Sequence, residues 1–383
     1  MVAVLVLGGV GFIGRTLVDY LVRSDRASYI RVVDKGLPAT AYLAPAIKAS
    51  FEDPRVEFRQ ANIGSPAGLL RAFSNEGCAP LDGKEFDIVY NLAAETKYGQ
   101  TDEVYDEKVY QISVNAGQAA AARKIPVFVE VSTAQVYDGD KKAATESSKT
   151  KPWTLIAKHK LRAEEALKAI PGLNLVIVRP SIVYGPGDVL GITPRLIVAA
   201  VYKQLQEDMK MLWTKDIRIN TVHVTDVARA LWWVAATKAQ QGGRDALPVA
   251  GTPEIYNLSD HTDTDQGKLN ACLEKIFGIT SSFSGTIISQ FAKLNLDSVT
   301  EDVNDKHLQP WSDLCKGAGI ANTPLTPYLD KELLKDNALS VDGTKIEKTL
   351  GFVYEKPELT VDLLREVVTT YESIGIWPKG TTV

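Results

Sequence analysis

An apolar run from Val2 to Leu7 breaks directly into glycines at positions 8, 11 and 14, in the stretch VAVLVLGGVGFIG, and no other feature constrains the fold as tightly. The run is long enough for one buried strand, and Arg15 to Val22 has the spacing of a helix. A strand, a glycine turn and a helix in that order make an anion site. Glycine accepts φ > 0, its missing Cβ lets a pyrophosphate approach the backbone, and the helix N-terminus offers free N–H groups at the positive end of its dipole. The expected ligand is a dinucleotide held at Gly8, Gly11, Phe12, Ile13 and Gly14. The next apolar run, Tyr29 to Val33, ends in Asp34, twenty residues after Gly14. A carboxylate there accepts hydrogen bonds from both ribose hydroxyls of the adenosine and would meet a 2′-phosphate as a like charge. Asp34 therefore argues for NAD over NADP, while the adjacent Lys35, a further expected contact, argues the other way.

Apolar strand runs and helical stretches then alternate along the chain. Val56 to Phe58 is a short strand ending near Asn62 and Ile63, which are expected to flank the adenine; a plain loop turn is the alternative. Phe86 to Asn91 opens into Leu92, Ala93 and Ala94, small residues that let a ligand lie close to the backbone. The polar loop Glu95 to Gln100 follows, with Lys97 and Tyr98. One helix is predicted from Val104 to Arg123, carrying in its interior Asn115, a poor helix former. That residue is either exposed or kept near a site. Val127 to Val131 is a fifth strand, Thr154 to Ile170 a helix, and Leu175 to Val178 a sixth strand. This alternation predicts an α/β fold, a Rossmann-type doubly wound parallel sheet with helices on both faces.

With 383 residues the chain can hold such a domain and a second, smaller one. The expected division is a dinucleotide-binding domain over 1–187 plus about 215–255, and a smaller α/β substrate lobe over about 188–214 and 256–383. A net charge of −4 gives no global basic field, so nucleic acid is not an expected partner. The three cysteines have no metal-type spacing, which predicts a reducing compartment. The first strand begins almost at residue 1 and no apolar run approaches the roughly 18 residues of a membrane span. A soluble cytoplasmic protein is expected. Asp260, His261, Asp263 and Asp265 resemble a metal cluster, yet they lack the Gly and Glu of a calcium loop. Asp263 to Asp265 stand just before a helix and are better explained as N-caps, so no metal is expected.

The motifs GGVGFIG (8–14), NLAA (91–94), SVNAGQ (113–118), STAQVY (132–137), KLRAEEAL (160–167), RPSIVYGPGD (179–188) and NTVHVTDVARA (220–230) occur in the order of a known family. Over about its first 230 residues the chain resembles the extended short-chain dehydrogenase/reductase family. That family comprises nucleotide-sugar epimerases and dehydratases and 3β-hydroxysteroid dehydrogenase-like proteins. The resemblance implies further NAD contacts at Ser132, Lys160, Pro180, Ser181 and Val183. It also implies a homodimer paired through two sheet-flanking helices, and a small-molecule substrate bordered by Lys97, Tyr98, Arg218 and Asn220, with Arg218 able to pair with a phosphate.

Members of this family oxidise an alcohol with a Ser or Thr, a Tyr four residues before a Lys, and often an Asn. Hydride leaves the carbinol carbon only as the hydroxyl proton is removed, and a nearby Lys⁺ lowers a phenol's pKa enough to do this. By resemblance Thr133, Lys160 and Asn115 fill three of these places. Four residues before Lys160 stands Ile156, where the family has tyrosine. Two accounts follow. Another group replaces the phenol, either His159 on the same helix or Tyr98 with Lys97 from the opposite side. Alternatively the chain binds NAD without turnover, as a sensor, scaffold or RNA-associated protein.

Overall fold

The computed structural model describes residues 2–140, 142–242, 254–284 and 292–383. Parts of the expected domain and lobe, at 243–253 and 285–291, lie outside the described residues. Seven parallel strands form one sheet: β1 (Ala3–Leu7), β2 (Tyr29–Asp34), β3 (Val56–Gln60), β4 (Ile88–Asn91), β5 (Val127–Val131), β6 (Leu175–Pro180) and β10 (Glu254–Leu258). Their order is β10-β6-β5-β4-β1-β2-β3, and the short strands β7 (Ile182–Tyr184), β8 (Met209–Met211) and β9 (Thr221–His223) stand outside this sheet. The order reverses between β1 and β4, so the carboxyl ends of these two strands open a crevice, the place where doubly wound folds take ligands. The expected doubly wound α/β fold is the one observed.

Burial on both faces explains why the strands read as continuous apolar runs. One face is covered by α1 (Phe12–Arg23) and α8 (Val224–Gly242), through Leu17, Val18 and Leu21 against Val227 and Leu231, and α2 (Pro45–Phe51) adds Phe51 at its edge. The other is covered by α3 (Pro66–Phe73), α5 (Ile112–Ala122) and α6 (Leu155–Lys168). A second core is built from α7 (Thr193–Leu205), α9 (Gln266–Phe277) and the helices Leu296–Gly317 and Val361–Ser373, around Trp311 and Trp377. Ile346, Phe352 and Tyr354 leave this lobe and pack on the sheet beside α8.

Two elements depart from expectation. The single helix predicted from Val104 is α4 (Asp102–Tyr105), then a π-helical turn over Asp106–Gln111, then α5. Wide turns of this kind recur at functional sites, and here Glu107 and Lys108 of the turn reach the main cavity. The apolar stretch Ile217 to Val224 reads in the sequence as a short strand, and it is one only over Thr221–His223 (β9), which pairs with Ile182–Tyr184 (β7). Arg218 and Ile219 instead bridge singly to Asp265 and Leu339, which ends the ladder.

Besides His159 on α6, two further histidines are buried in the fold. His223 stands edge-on to Tyr184 at 5.1 Å, and His307 stands edge-on to Tyr202 at 5.4 Å with neither ring nitrogen partnered. Burial lowers both pKa values to about 4, below the ordinary 6.5 or so, because a charged ring would lose its water. The unfolded chain therefore binds these protons first. Their contribution is whole above pH 6.5 and is lost as pH falls toward 4, by at most about 3 kcal/mol per ring. Melting temperatures of wild type and His307→Leu across this range test the assignment: the variant should lose less between pH 6.5 and 4, and parallel curves would refute it.

Candidate active site

The glycine turn sits at the switch point, tied to both neighbouring strands. Gly8 N–H donates to Val33 O at 2.8 Å, and Leu92 N–H donates to Leu7 O at 2.9 Å. Gly8 has φ +75°, and a Cβ on it would stand 2.7 Å from the Ala93 backbone; one on Gly14 would stand 2.5 Å from Gly8 O. Only glycine fits at either place. No side chain caps α1, so its first N–H groups remain free for an anion, and no acidic residue occupies its first turn. Asp34 at the end of β2 accepts from Val10 N–H (3.1 Å) and Gly36 N–H (2.9 Å) through different oxygens. Its carboxylate thus braces the turn while facing the cavity.

That cavity, of about 830 Å³, runs along the carboxyl edge of the sheet and into the lobe. Its first part is walled by the turn residues Gly8, Gly11, Phe12, Ile13 and Gly14, with Asp34 and Lys35 at one end and Asn62 and Ile63 beside them. Leu92, Ala93 and Ala94 form the floor, and Ser132, Pro180, Ser181 and Val183 continue it. The buried Oγ of Ser181 has no hydrogen-bond partner in the chain, a polar atom left for a ligand. A dinucleotide fits this wall: free helix N–H groups for its phosphates, a carboxylate for a ribose and an open hydroxyl further on.

Beyond Ser132 the wall carries Thr133, Lys160, Ile156 and Tyr98. Thr133 Oγ accepts from Gln135 N–H at 3.2 Å, which leaves its own hydrogen to donate. Lys160 is held by a group that sequence reading missed. Its ammonium donates to Glu130 at 3.1 Å and to Val131 O at 2.7 Å. Glu130, wholly buried on β5, also accepts from Ser113 Oγ (2.8 Å) and Asn91 Nδ2 (2.6 Å). The one signal was a charge inside the apolar run VFVEV. Next to it Glu164 accepts from Ser132 Oγ and from Arg179, which donates on to Tyr137 OH at 2.8 Å.

Ile156 does stand four residues before Lys160 in the cavity wall, clustered with Tyr105 and Val109 and with Tyr98 packed against them. Tyr98 OH accepts from Gln135 Nε2 at 2.8 Å. Thr154 Oγ donates to Gln135 Oε1 at 2.8 Å and so fixes which end of the amide faces the phenol. Burial pushes the Tyr98 pKa up to about 12, against the lowering effect of the Gln135 hydrogen bond.

Five expected site residues lie outside the cavity wall. His159 is wholly buried on the far side of α6, with Nε2 on Asp102 at 3.2 Å and Nδ1 accepting from Arg162 at 3.0 Å. Asn115 lies on α5, and Ser113 of the same helix reaches the Glu130 group instead. Lys97 is exposed, its carbonyl accepting from Tyr105 OH at 2.8 Å. Arg218 is clamped by Asp263 (2.8 Å) and Asp265 (3.3 Å). Asn220 is buried, bonding Asp263 and Val341 N–H. Asp265 caps α9, accepting from Lys268 N–H at 2.8 Å. Among the described residues no three His, Cys, Asp or Glu side chains are grouped to hold a metal, and no helix is long and apolar enough to cross a membrane.

The Glu130 group makes a stability prediction. Glu130→Gln keeps the shape but strips the Lys160 ammonium of its counter-charge in a buried place, a loss of roughly 3–5 kcal/mol. The double variant Glu130→Met/Lys160→Met removes both charges and should lose markedly less. Urea unfolding of the three proteins decides it, and equal losses in single and double variants would contradict the pairing.

Comparison with known proteins agrees with this geometry. Residues 4–258 match the family model described as the NAD dependent epimerase/dehydratase family. Among solved structures the chain is similar to MoeE5 in complex with UDP-glucose and NAD, at 18% identity, covering 97% of this chain and 99% of that one with a TM-score of 0.62. It is similar to DesIV, a dTDP-glucose 4,6-dehydratase from Streptomyces venezuelae with NAD and TYD bound, at 22% identity, 98% of each chain and a TM-score of 0.64. It is also similar to the UDP-glucuronic acid 4-epimerase of Bacillus cereus in complex with UDP-glucuronic acid and NAD, at 18% identity, 97% and 98% coverage and a TM-score of 0.64. At these identities the structural likeness speaks for the fold. The family model spans about two thirds of the sequence, and the chain belongs to the NAD dependent epimerase/dehydratase family.

Proposed function

We propose that this protein is an NAD-dependent oxidoreductase or epimerase acting on a hydroxylated small molecule, with Tyr98 in place of the missing phenol at Ile156. The observation that carries this reading is the cavity itself. It does not end at Lys160 but continues past Thr133 and Tyr98 to Leu329, Leu333 and Leu339 of the lobe, leaving room for a second molecule. Bound NAD supplies the hydride acceptor. The chain's own part is to hold the substrate oxygen on the free hydrogen of Thr133 Oγ and to take its proton at Tyr98 Oη. The Gln135 amide, oriented by Thr154, donates to that oxygen and stabilises the phenolate that receives the proton.

A second reading, NAD binding without turnover, is favoured by one specific observation. The Lys160 ammonium, which a phenol in the Ile156 position would need, is already engaged by Glu130 and Val131 O.

Assays with NAD and UDP-glucose or UDP-glucuronic acid, compounds bound by the solved neighbours, separate the two. A phenol near 12 is almost wholly protonated at neutrality, so alcohol oxidation should be slow at pH 7 and rise about tenfold per unit to pH 9. Tyr98→Phe should lower it at least about 100-fold with NAD affinity unchanged. No turnover at any pH would favour the second reading, and a rate unmoved by Tyr98→Phe would take the proton-accepting role away from Tyr98. Under both, Asp34→Ala should weaken NAD about 10- to 100-fold by calorimetry, through two lost charge-assisted hydrogen bonds; unchanged affinity would place the ribose elsewhere.

A further inference from the structure

Glu130 meets only donors: the Lys160 ammonium, Ser113 Oγ and Asn91 Nδ2. A buried carboxyl group facing three donors and no acceptor is held as the anion. The Lys160 ammonium gives two of its three N–H groups to Glu130 and Val131 O. The third has no acceptor among the described residues, and the side chain lines the cavity. Next to this pair Glu164 and Arg179 form a second buried one, so neither pair leaves a net charge. The other charged residues of the cavity wall stand elsewhere. Arg15, Asp34 and Lys35 belong to the glycine turn and the adenosine end, Asp188 and Arg195 precede and begin α7 of the lobe, and Glu95, Glu107 and Lys108 are open to solvent, which screens them.

With the adenosine ribose at Asp34 and the pyrophosphate at the glycine turn, the nicotinamide half of the cofactor is left the wall from Leu92 to Ala94, past Ser132 and Ser181, to Lys160. A nicotinamide ring carries a positive charge when oxidised and none once it has accepted a hydride. An unpaired ammonium in a buried wall would repel the oxidised ring and leave the reduced one unaffected. Glu130 removes that bias at its source. We propose that Glu130 is a positioning residue that sets the oxidation state in which the protein holds its cofactor: by neutralising Lys160 it lets the cavity take oxidised NAD at least as tightly as NADH. Cofactor held with that preference is no stronger a hydride acceptor bound than free. The proposal rests on the reading of the cavity as an NAD site and applies with or without turnover.

The test is the ratio of the dissociation constant of NADH to that of oxidised NAD, read by calorimetry, with ADP-ribose, which lacks the nicotinamide ring, as the control. In wild type the ratio should be one or above. Glu130→Gln should lower it at least about tenfold, by weakening oxidised NAD while NADH and ADP-ribose bind as before. A merely structural Glu130 would move all three affinities together and leave the ratio alone. Glu130→Met/Lys160→Met removes both charges and should bring the ratio back to within about threefold of wild type. Where Glu130→Gln is too unstable to titrate, wild type and the double variant decide, because a Lys160 charge felt in spite of Glu130 would raise the ratio at least about tenfold on its removal. A wild type that binds NADH the more tightly, an unchanged ratio in Glu130→Gln, or such a rise in the double variant would overturn the proposal. A wild type that binds none of the three ligands would instead overturn the reading of the cavity on which it rests.

Discussion

Burying a carboxylate in the middle of a sheet that is covered on both faces dictates much of what surrounds it. Glu130 on β5 has no water to turn to, so its oxygens must be met by protein donors, and they are met from three elements at once. Asn91 comes from β4, Ser113 from α5 and Lys160 from α6. Each of those elements is thereby fixed in register against β5. The neighbouring carboxylate, Glu164 on α6, repeats the arrangement toward the other side: Ser132 at the end of β5, Arg179 on β6, and through Tyr137 the side chain of Asn257 on β10. Such groups add little net stability over an apolar core, because desolvation consumes most of the attraction. What they confer is a single arrangement of strand ends, and Thr133, which follows Ser132 directly, inherits its place from it.

The cofactor end of the cavity has a different origin. It is made of backbone: two glycines with no room for a Cβ, the uncapped start of α1, and one carboxylate after β2. Features of that kind depend on near neighbours in the chain, and this is why they were legible. A glycine turn after an apolar run announces itself, and so does an acid at the end of the next one. The N-cap role of Asp265 was legible for the same reason, as a local pattern before a helix.

Distance along the chain marks where legibility ends. Glu130 was visible as a charge in an apolar run, but its partners come from positions 91, 113 and 160, and no local pattern joins them. Arg218 carried the expected motif, yet Asp263 and Asp265 fold back onto it from more than forty residues away. His159 and Ile156 lie on one helix, and only packing decides that Ile156 meets the cavity while His159 turns to Asp102. The π-helical turn before α5 likewise has no periodicity that separates it from an ordinary helix.

A phenol at Tyr98 differs from one at position 156 in a way that follows from charge alone. A tyrosine one helical turn before a lysine shares its face, and a full positive charge holds the phenol's pKa down. Tyr98 receives only the dipole of the Gln135 amide, too weak to offset burial, and it stays near 12. The Lys160 charge meanwhile is cancelled where it stands by Glu130. A phenol so placed is a weaker proton acceptor at neutral pH than one that stands beside a free ammonium, and the difference lies in the charges around it and not in the ring.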